Sequence, residues 1–205
     1  MMLIDVAYSQ DEPQATQYQK AINKFHSLDV SALQLNKIPY CLNHTCREET
    51  HISFNSSDWA DMTNVLSQDP GSARMERAYL AEIVSRFEVY SSRLANTQYD
   101  IGMTFKVQKV PVVNSTQLDC VDEAFNMYVL LNLLKNDGKL RWHSVGKLVH
   151  RGWLFDLSYP HTAMSIIEKD SLDVIVIDSW FHDNGRPPEL VTYEKWKAGW
   201  TPFSE

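Results

Sequence analysis

Gln117-Leu118-Asp119-Cys120-Val121-Asp122-Glu123 is the stretch on which the reading of this chain turns. Asp119 is a favoured residue just ahead of a helix, because its carboxylate can accept the otherwise unpaired amide of Asp122. Cys120 then falls in the first turn, where free amides and the positive helix end favour thiolate over thiol. Asp122 and Glu123 steady the same helix start but oppose a negative charge on sulfur. Behind them Phe125, Tyr128, Val129, Leu131 and Leu133 supply a broad apolar surface. Asn136-Asp137-Gly138 ends the pattern, with Gly138 suited to a left-handed terminal residue. A central helix that opens on a lone cysteine is the expectation.

Outward from this helix the texture differs on the two sides. Downstream, residues 142–149, 153–157, 162–167 and 174–180 read as strands. Asp183-Asn184-Gly185 reads as a turn, and Thr192 as the cap of a short last helix through Trp196. Upstream, residues 99–113 suggest strand and loop. The longest helical pattern covers 73–94, with Met75, Tyr79, Ile83, Phe87 and Tyr90 toward the core and Arg74, Glu76, Glu82, Arg86 and Glu88 on other faces. Ser56 or Ser57 would cap a helix through Trp59, Met62 and Leu66, closed by Asp69-Pro70-Gly71. Residues 39–53 read as loop, and Asp11-Glu12-Pro13 opens a helix bearing Tyr18, Ile22 and Phe25. The fold class is α+β: a helical region over 1–95 packed on a mostly antiparallel core over 96–205, together one compact domain.

The base expected beside Cys120 is His161. Residues 161–167 and 173–180 form an antiparallel hairpin around Lys169-Asp170-Ser171, which pairs position 161 with 178 or 179. His161 and Asp178 then share a face with Ala163, Val174 and Val176. A one-residue slip would separate them. Asp178 lies between Ile177 and Trp180, and a buried carboxylate requires a partner. His143 and His150 compete with His161 but have no acid placed for them. Trp180, Phe181, Trp196 and Trp200 read as core and C-terminal packing.

Taken in order, Cys120 at a helix start, His161 opening a strand and Asp178 on the next strand resemble the transglutaminase-like superfamily of thiol enzymes. Asp119-Cys120-Val121-Asp122-Glu123-Ala124 resembles the nucleophile segment of bacterial transglutaminase-like cysteine peptidases, and Val176-Ile177-Asp178-Ser179-Trp180-Phe181 their acid segment. The similarity covers roughly residues 115 to 200. It implies a papain-like core and a Cys120–His161–Asp178 triad acting on an amide bond of a peptide or protein substrate. The Cys120 amide is one oxyanion donor in such a mechanism, and the Gln117 side chain a candidate second. Release of the acyl group to an amine instead of water, or a binding module that keeps the fold without turnover, are the rival readings.

Composition narrows the classes. The 205 residues carry a net charge of −7, which argues against a nucleic-acid partner. No apolar run reaches the length of a membrane span. The first residues lack the basic and apolar parts of a signal peptide. The compartment is extracytoplasmic if a leader has been removed and cytoplasmic otherwise. Cys41 and Cys46 are near neighbours and read as a local disulfide or as unlinked thiols; with His44 and His51 they also offer four zinc-type ligands, at tighter spacing than paired knuckles. No metal or other cofactor is expected.

Overall fold

The computed structural model describes residues 14–104, 116–152 and 161–203. The expected strand at 153–157, the helix start at Asp11-Glu12-Pro13 and most of the 99–113 stretch lie outside them. The described residues form an α+β fold of five α-helices and two antiparallel sheets. In chain order these are α1 (Gln14–Ser27), β1 (Ile38–Leu42), β2 (Glu48–Ile52), α2 (Ser56–Thr63), α3 (Ala73–Ala95), α4 (Cys120–Asn136), β3 (His143–Arg151), β4 (His161–Glu168), β5 (Val174–Asp178), β6 (Glu189–Thr192) and α5 (Tyr193–Lys197).

Helix α4 is the axis of the molecule. Thirteen of its 17 residues are buried, as a helix apolar on nearly all sides must be. Asp119 caps it, accepting the amides of Val121 at 3.0 Å and Asp122 at 3.1 Å, and the Asp122 carboxylate accepts the Asp119 amide in return. This reciprocal pair is a capping box. At the far end Gly138 takes the left-handed conformation expected of it, φ 66°.

The larger sheet has the strand order β3-β4-β5-β6, so each strand is hydrogen-bonded to its neighbour in sequence. Its residues alternate across two layers. Met164, Ile166, Ile175 and Ile177 join α4 in the main core, whereas Ala163, Val176 and Val191 pack around Trp196 of α5. The β4–β5 register pairs Met164 with Ile177, which puts Asp178 opposite Ala163 and not opposite His161. The expected pairing of 161 with 178 or 179 is therefore displaced. The shift relative to 161–178 is two residues, so His161 and Asp178 keep a common face and meet diagonally.

Two expectations fail for identifiable reasons. The segment read as a loop over 39–53 is the β1–β2 hairpin, with Cys41 opposite Glu49; β1 is buried along its whole length and lacks the alternation that marks a half-exposed strand. Glu76, assigned to a solvated face of α3, is fully buried, while Met75 is exposed. The Glu76 carboxylate accepts the amides of Arg141, Trp142 and His143 and the His143 Nδ1 hydrogen at 2.9 Å, fixing the start of β3. Burial raises the Glu76 pKa, but the bonds from His143 and the amides outweigh it and hold the carboxyl below its usual range. Glu76→Ala leaves these donors unpaired in the core and should cost about 3–5 kcal/mol, read as a fall in the urea midpoint. A loss within that of an ordinary surface substitution would refute the role.

Candidate functional site

Cys120 begins α4 as expected, but in a closed setting. The thiol is free of disulfides and only 4% exposed. Burial, and then the charge of Asp119, push its pKa well above that of a free thiol. The compensating contact is the backbone amide of Thr162, which donates to the sulfur. The helix-end effect that favours thiolate is thus outweighed by desolvation.

His161 and Asp178 meet on the sheet face that also carries Ala163 and Val176 and packs against Trp196. His161 Nε2 lies 2.6 Å from Asp178 Oδ2, and Trp196 Nε1 donates to the same oxygen at 2.7 Å. An indole N–H can only donate, so Oδ2 accepts, and the network assigns the bonding proton to His161 Nε2. The imidazole sits among aromatic rings, with centroids 4.6 Å from Trp180, 5.5 Å from Phe181 and 5.6 Å from Trp196. Arg151 closes this box from outside: its guanidinium stands 4.6 Å over Trp196 and bonds the carbonyls of Trp196 and Trp200. His161 Nδ1 is buried and has no hydrogen-bond partner among the described residues. No hydrogen bond joins it to Cys120 among the described residues. The backbone of Thr162, the next residue on β4, favours the Cys120 anion.

The other expected helper is engaged elsewhere. The Gln117 amide donates to the Tyr99 carbonyl at 2.9 Å and its oxygen accepts the Ile101 amide at 3.1 Å, so it clamps the loop before α4 and is not free to bind an oxyanion. His150 does find partners, the hydroxyls of Tyr18 at 2.7 Å and Thr162 at 3.1 Å. Sequence reasoning missed Tyr18, Thr162 and the Trp196 bond to Asp178. Only Trp196 had a signal, as an indole whose buried N–H needs an acceptor.

The start of α4 is held by the disulfide loop. Cys41 and Cys46 are bridged, with a Cα separation of 4.7 Å. Asn43, His44, Thr45 and Cys46 all have positive φ, between 50° and 68°, forming a left-handed turn. That turn aims its amides at the two helix-start acids. Asp122 accepts from His44 and Cys46, each at 2.7 Å, and Asp119 accepts from Thr45 at 2.9 Å. The sulfurs of Cys41 and Cys46 and a carboxylate oxygen of Asp122 lie within 4.8 Å of one another, a set that could ligate a metal only with the disulfide reduced. With the bridge formed, His44 and His51 are not part of that group, and the four-ligand zinc site is not assembled.

Other acids near the start of α4 are buried or half-buried. Burial raises Glu123 to about 7, against the hydrogen bond from the Ser179 hydroxyl and with the charges of Asp178 and Asp119 adding. Burial and then the Glu123 charge raise Asp100 to about 9. Burial and then Asp119 push Asp122 up as well, against three backbone amides that favour its anion. Asp122 and Glu123 therefore oppose a thiolate less than two full charges would.

Compared with known proteins, the chain matches no family model, no curated protein and no solved structure.

Two predictions follow from this geometry. Replacing both Cys41 and Cys46 by Ala frees the left-handed turn and should lower stability by about 2 kcal/mol, the value for so short a loop. An unchanged melting temperature in the oxidised wild type and the double variant would remove the bridge from the set of supports. Glu123 and Asp100 keep protons in the folded chain at pH values where the unfolded chain has lost them. Stability should therefore fall as pH rises from the ordinary carboxylate range through about 7 and on to about 9. Glu123→Gln should flatten the part of the fall that ends near 7; urea midpoints against pH measure it, and an equal slope in both chains would contradict the assignment.

Proposed function

We propose that the protein is a thiol hydrolase of transglutaminase-like type, cleaving an amide bond in a peptide or peptide-like substrate. The observation that carries this reading is the His161–Asp178 bond of 2.6 Å, with Nδ1 of the same ring unpartnered and the neighbouring Thr162 amide on the Cys120 sulfur. In this reading the core is papain-like, with the nucleophile at the start of α4 and the base and acid on β4 and β5.

The chemistry needs one proton carrier and one carbon electrophile. His161 Nδ1 takes the thiol proton as sulfur attacks the substrate carbonyl carbon, and Asp178 stabilises the imidazolium that results. The developing oxyanion is met by the Cys120 amide at the positive end of α4. Collapse breaks the C–N bond, the amine leaves with the proton from His161, and a thioester remains. Water, deprotonated by His161, then attacks the thioester and returns the free thiol and a carboxylic acid. Trp196 holds the Asp178 oxygen that orients the ring, and Gln117 has no part.

A second reading is favoured by the burial of Cys120 and its raised pKa: a chain that retains this arrangement for binding, without turnover. The two differ in whether His161 governs the reactivity of the thiol. Cys120→Ala should abolish modification by iodoacetamide, and His161→Ala should lower the rate of modification and of any amide cleavage by about 100-fold or more. Undiminished labelling of Cys120→Ala would sink the nucleophile assignment. A Cys120 rate that is the same with and without the His161 imidazole would leave the non-catalytic reading.

A further inference from the structure

Nothing reaches the thiol as the molecule stands. Cys120, His161 and Asp178 are 4%, 4% and 2% exposed. The crevice between the start of α4 and the ends of β4 and β5, lined by Glu123, Ala124, Thr162, Ala163, Asp178 and Ser179, has no room for a water molecule. An amide substrate needs far more space than that.

Helix α1 contributes to this closure. Tyr18 projects from it onto β3 and β4, beside the crevice that Thr162 lines: its hydroxyl lies 2.7 Å from His150 Nδ1 and 3.3 Å from Thr162 Oγ1. Burial raises the Tyr18 phenol, the Thr162 hydrogen bond opposes the rise, and the Cys120 charge adds to it. The seating of α1 is light. Its buried anchors are Ala21 and Phe25, the latter on the rings of Phe125 at 5.1 Å and Tyr128 at 5.6 Å. Among the described contacts its polar ties are partly exposed, Lys24 to Glu49 at 3.3 Å and to the Cys46 carbonyl at 3.4 Å, and Gln17 from Arg47 at 3.0 Å. No strand pairing of either sheet includes a residue of α1. A helix held this way can lift as a local unit while the sheets and α4 stay folded.

We propose that α1 is an autoinhibitory cover: seated, it closes the approach to Cys120 through Tyr18, and its release admits a substrate carbonyl to the thiol. The inference takes Cys120 as the centre of the site, as the proposed function does, but it concerns access and not reactivity. Release takes the Tyr18 hydroxyl away from the Thr162 hydroxyl and His150, which stay bonded to each other at 3.1 Å and then line the opened mouth. The closed state is the stable one, so the fraction open sets how fast any reagent finds the sulfur.

The test is the rate of Cys120 modification by iodoacetamide in the full chain under native conditions. Two variants open the cover in different ways: Tyr18→Ala removes the side chain over the site, and Ala21→Arg unseats the helix at a buried anchor. Both should raise the rate about tenfold or more, while hydrogen exchange of α4 and of β4 stays as slow as in the wild type. In the wild type, α1 amides should exchange faster than those of α4, at a rate that tracks Cys120 modification across low denaturant concentrations. Unchanged modification in Ala21→Arg, when exchange shows α1 released, would overturn the proposal. So would wild-type modification that follows global unfolding. Adding His161→Ala to the unseated chain separates the two readings. A rate that does not depend on His161 leaves the non-catalytic reading while the tenfold gain from unseating still stands.

Discussion

The structure hangs on a polar stripe within its most apolar helix. Asp119, Asp122 and Asn126 follow one another along one side of α4, and all three bind backbone of residues 41–46. Asn126 accepts the Cys41 amide at 2.8 Å and donates to the Cys41 carbonyl at 3.0 Å, completing what the two acids begin on His44, Thr45 and Cys46. Buried carboxylates need such partners, and left-handed turns of ordinary residues are costly, at about 1–2 kcal/mol per residue. Each fault answers the other. The turn supplies three convergent amides that a right-handed or extended loop would scatter, and the acids supply the bonds that keep the turn wound. The disulfide shortens the list of conformations the loop could otherwise visit.

This arrangement also fixes where Cys120 stands. The residue between the two acids cannot shift along the helix axis without breaking bonds on either side, so the sulfur is held against the Thr162 amide. The same closeness works against reactivity. Three carboxyl groups and a dry core surround a group whose useful form is an anion, and only an amide and the helix end favour that form. The imidazole is better provided for. Asp178 Oδ2 serves both His161 and Trp196, so the ring's orientation is set by its bond to an oxygen that Trp196 also holds and by tilted and edge-on packing against three aromatic side chains.

Local signals were legible in the sequence where the chemistry is local. The Asp119 cap depends on residues three apart, and the left-handed Gly138 on one residue, so both are readable from spacing. The common face of His161 and Asp178 survived an inexact register because face depends only on whether the shift is even. Long-range pairings were not legible. Nothing near Glu76 announces that residues 141–143 will bring it three amides, and a charged residue with no visible partner reads as solvated. Nor does a fully buried β1 show the alternation that would have marked it as a strand. Tyr18 lies 102 positions before Cys120, and no periodicity connects them.

The disulfide loop links these two halves of the molecule. Lys24 of α1 reaches its outer side, bonding the Cys46 carbonyl at 3.4 Å, while Arg47 just beyond it bonds Gln17 at 3.0 Å. Its inner side holds the two acids of α4. One short turn thus touches both the helix that carries the thiol and the helix that shields it. The inner contacts are buried, each worth about 0.5–1.5 kcal/mol or more, whereas the outer ones are partly exposed and weaker. The two helices are therefore bound to a common support with unequal strength. Mild stress on the fold should loosen α1 well before it disturbs the start of α4, which is the order that an opening site requires.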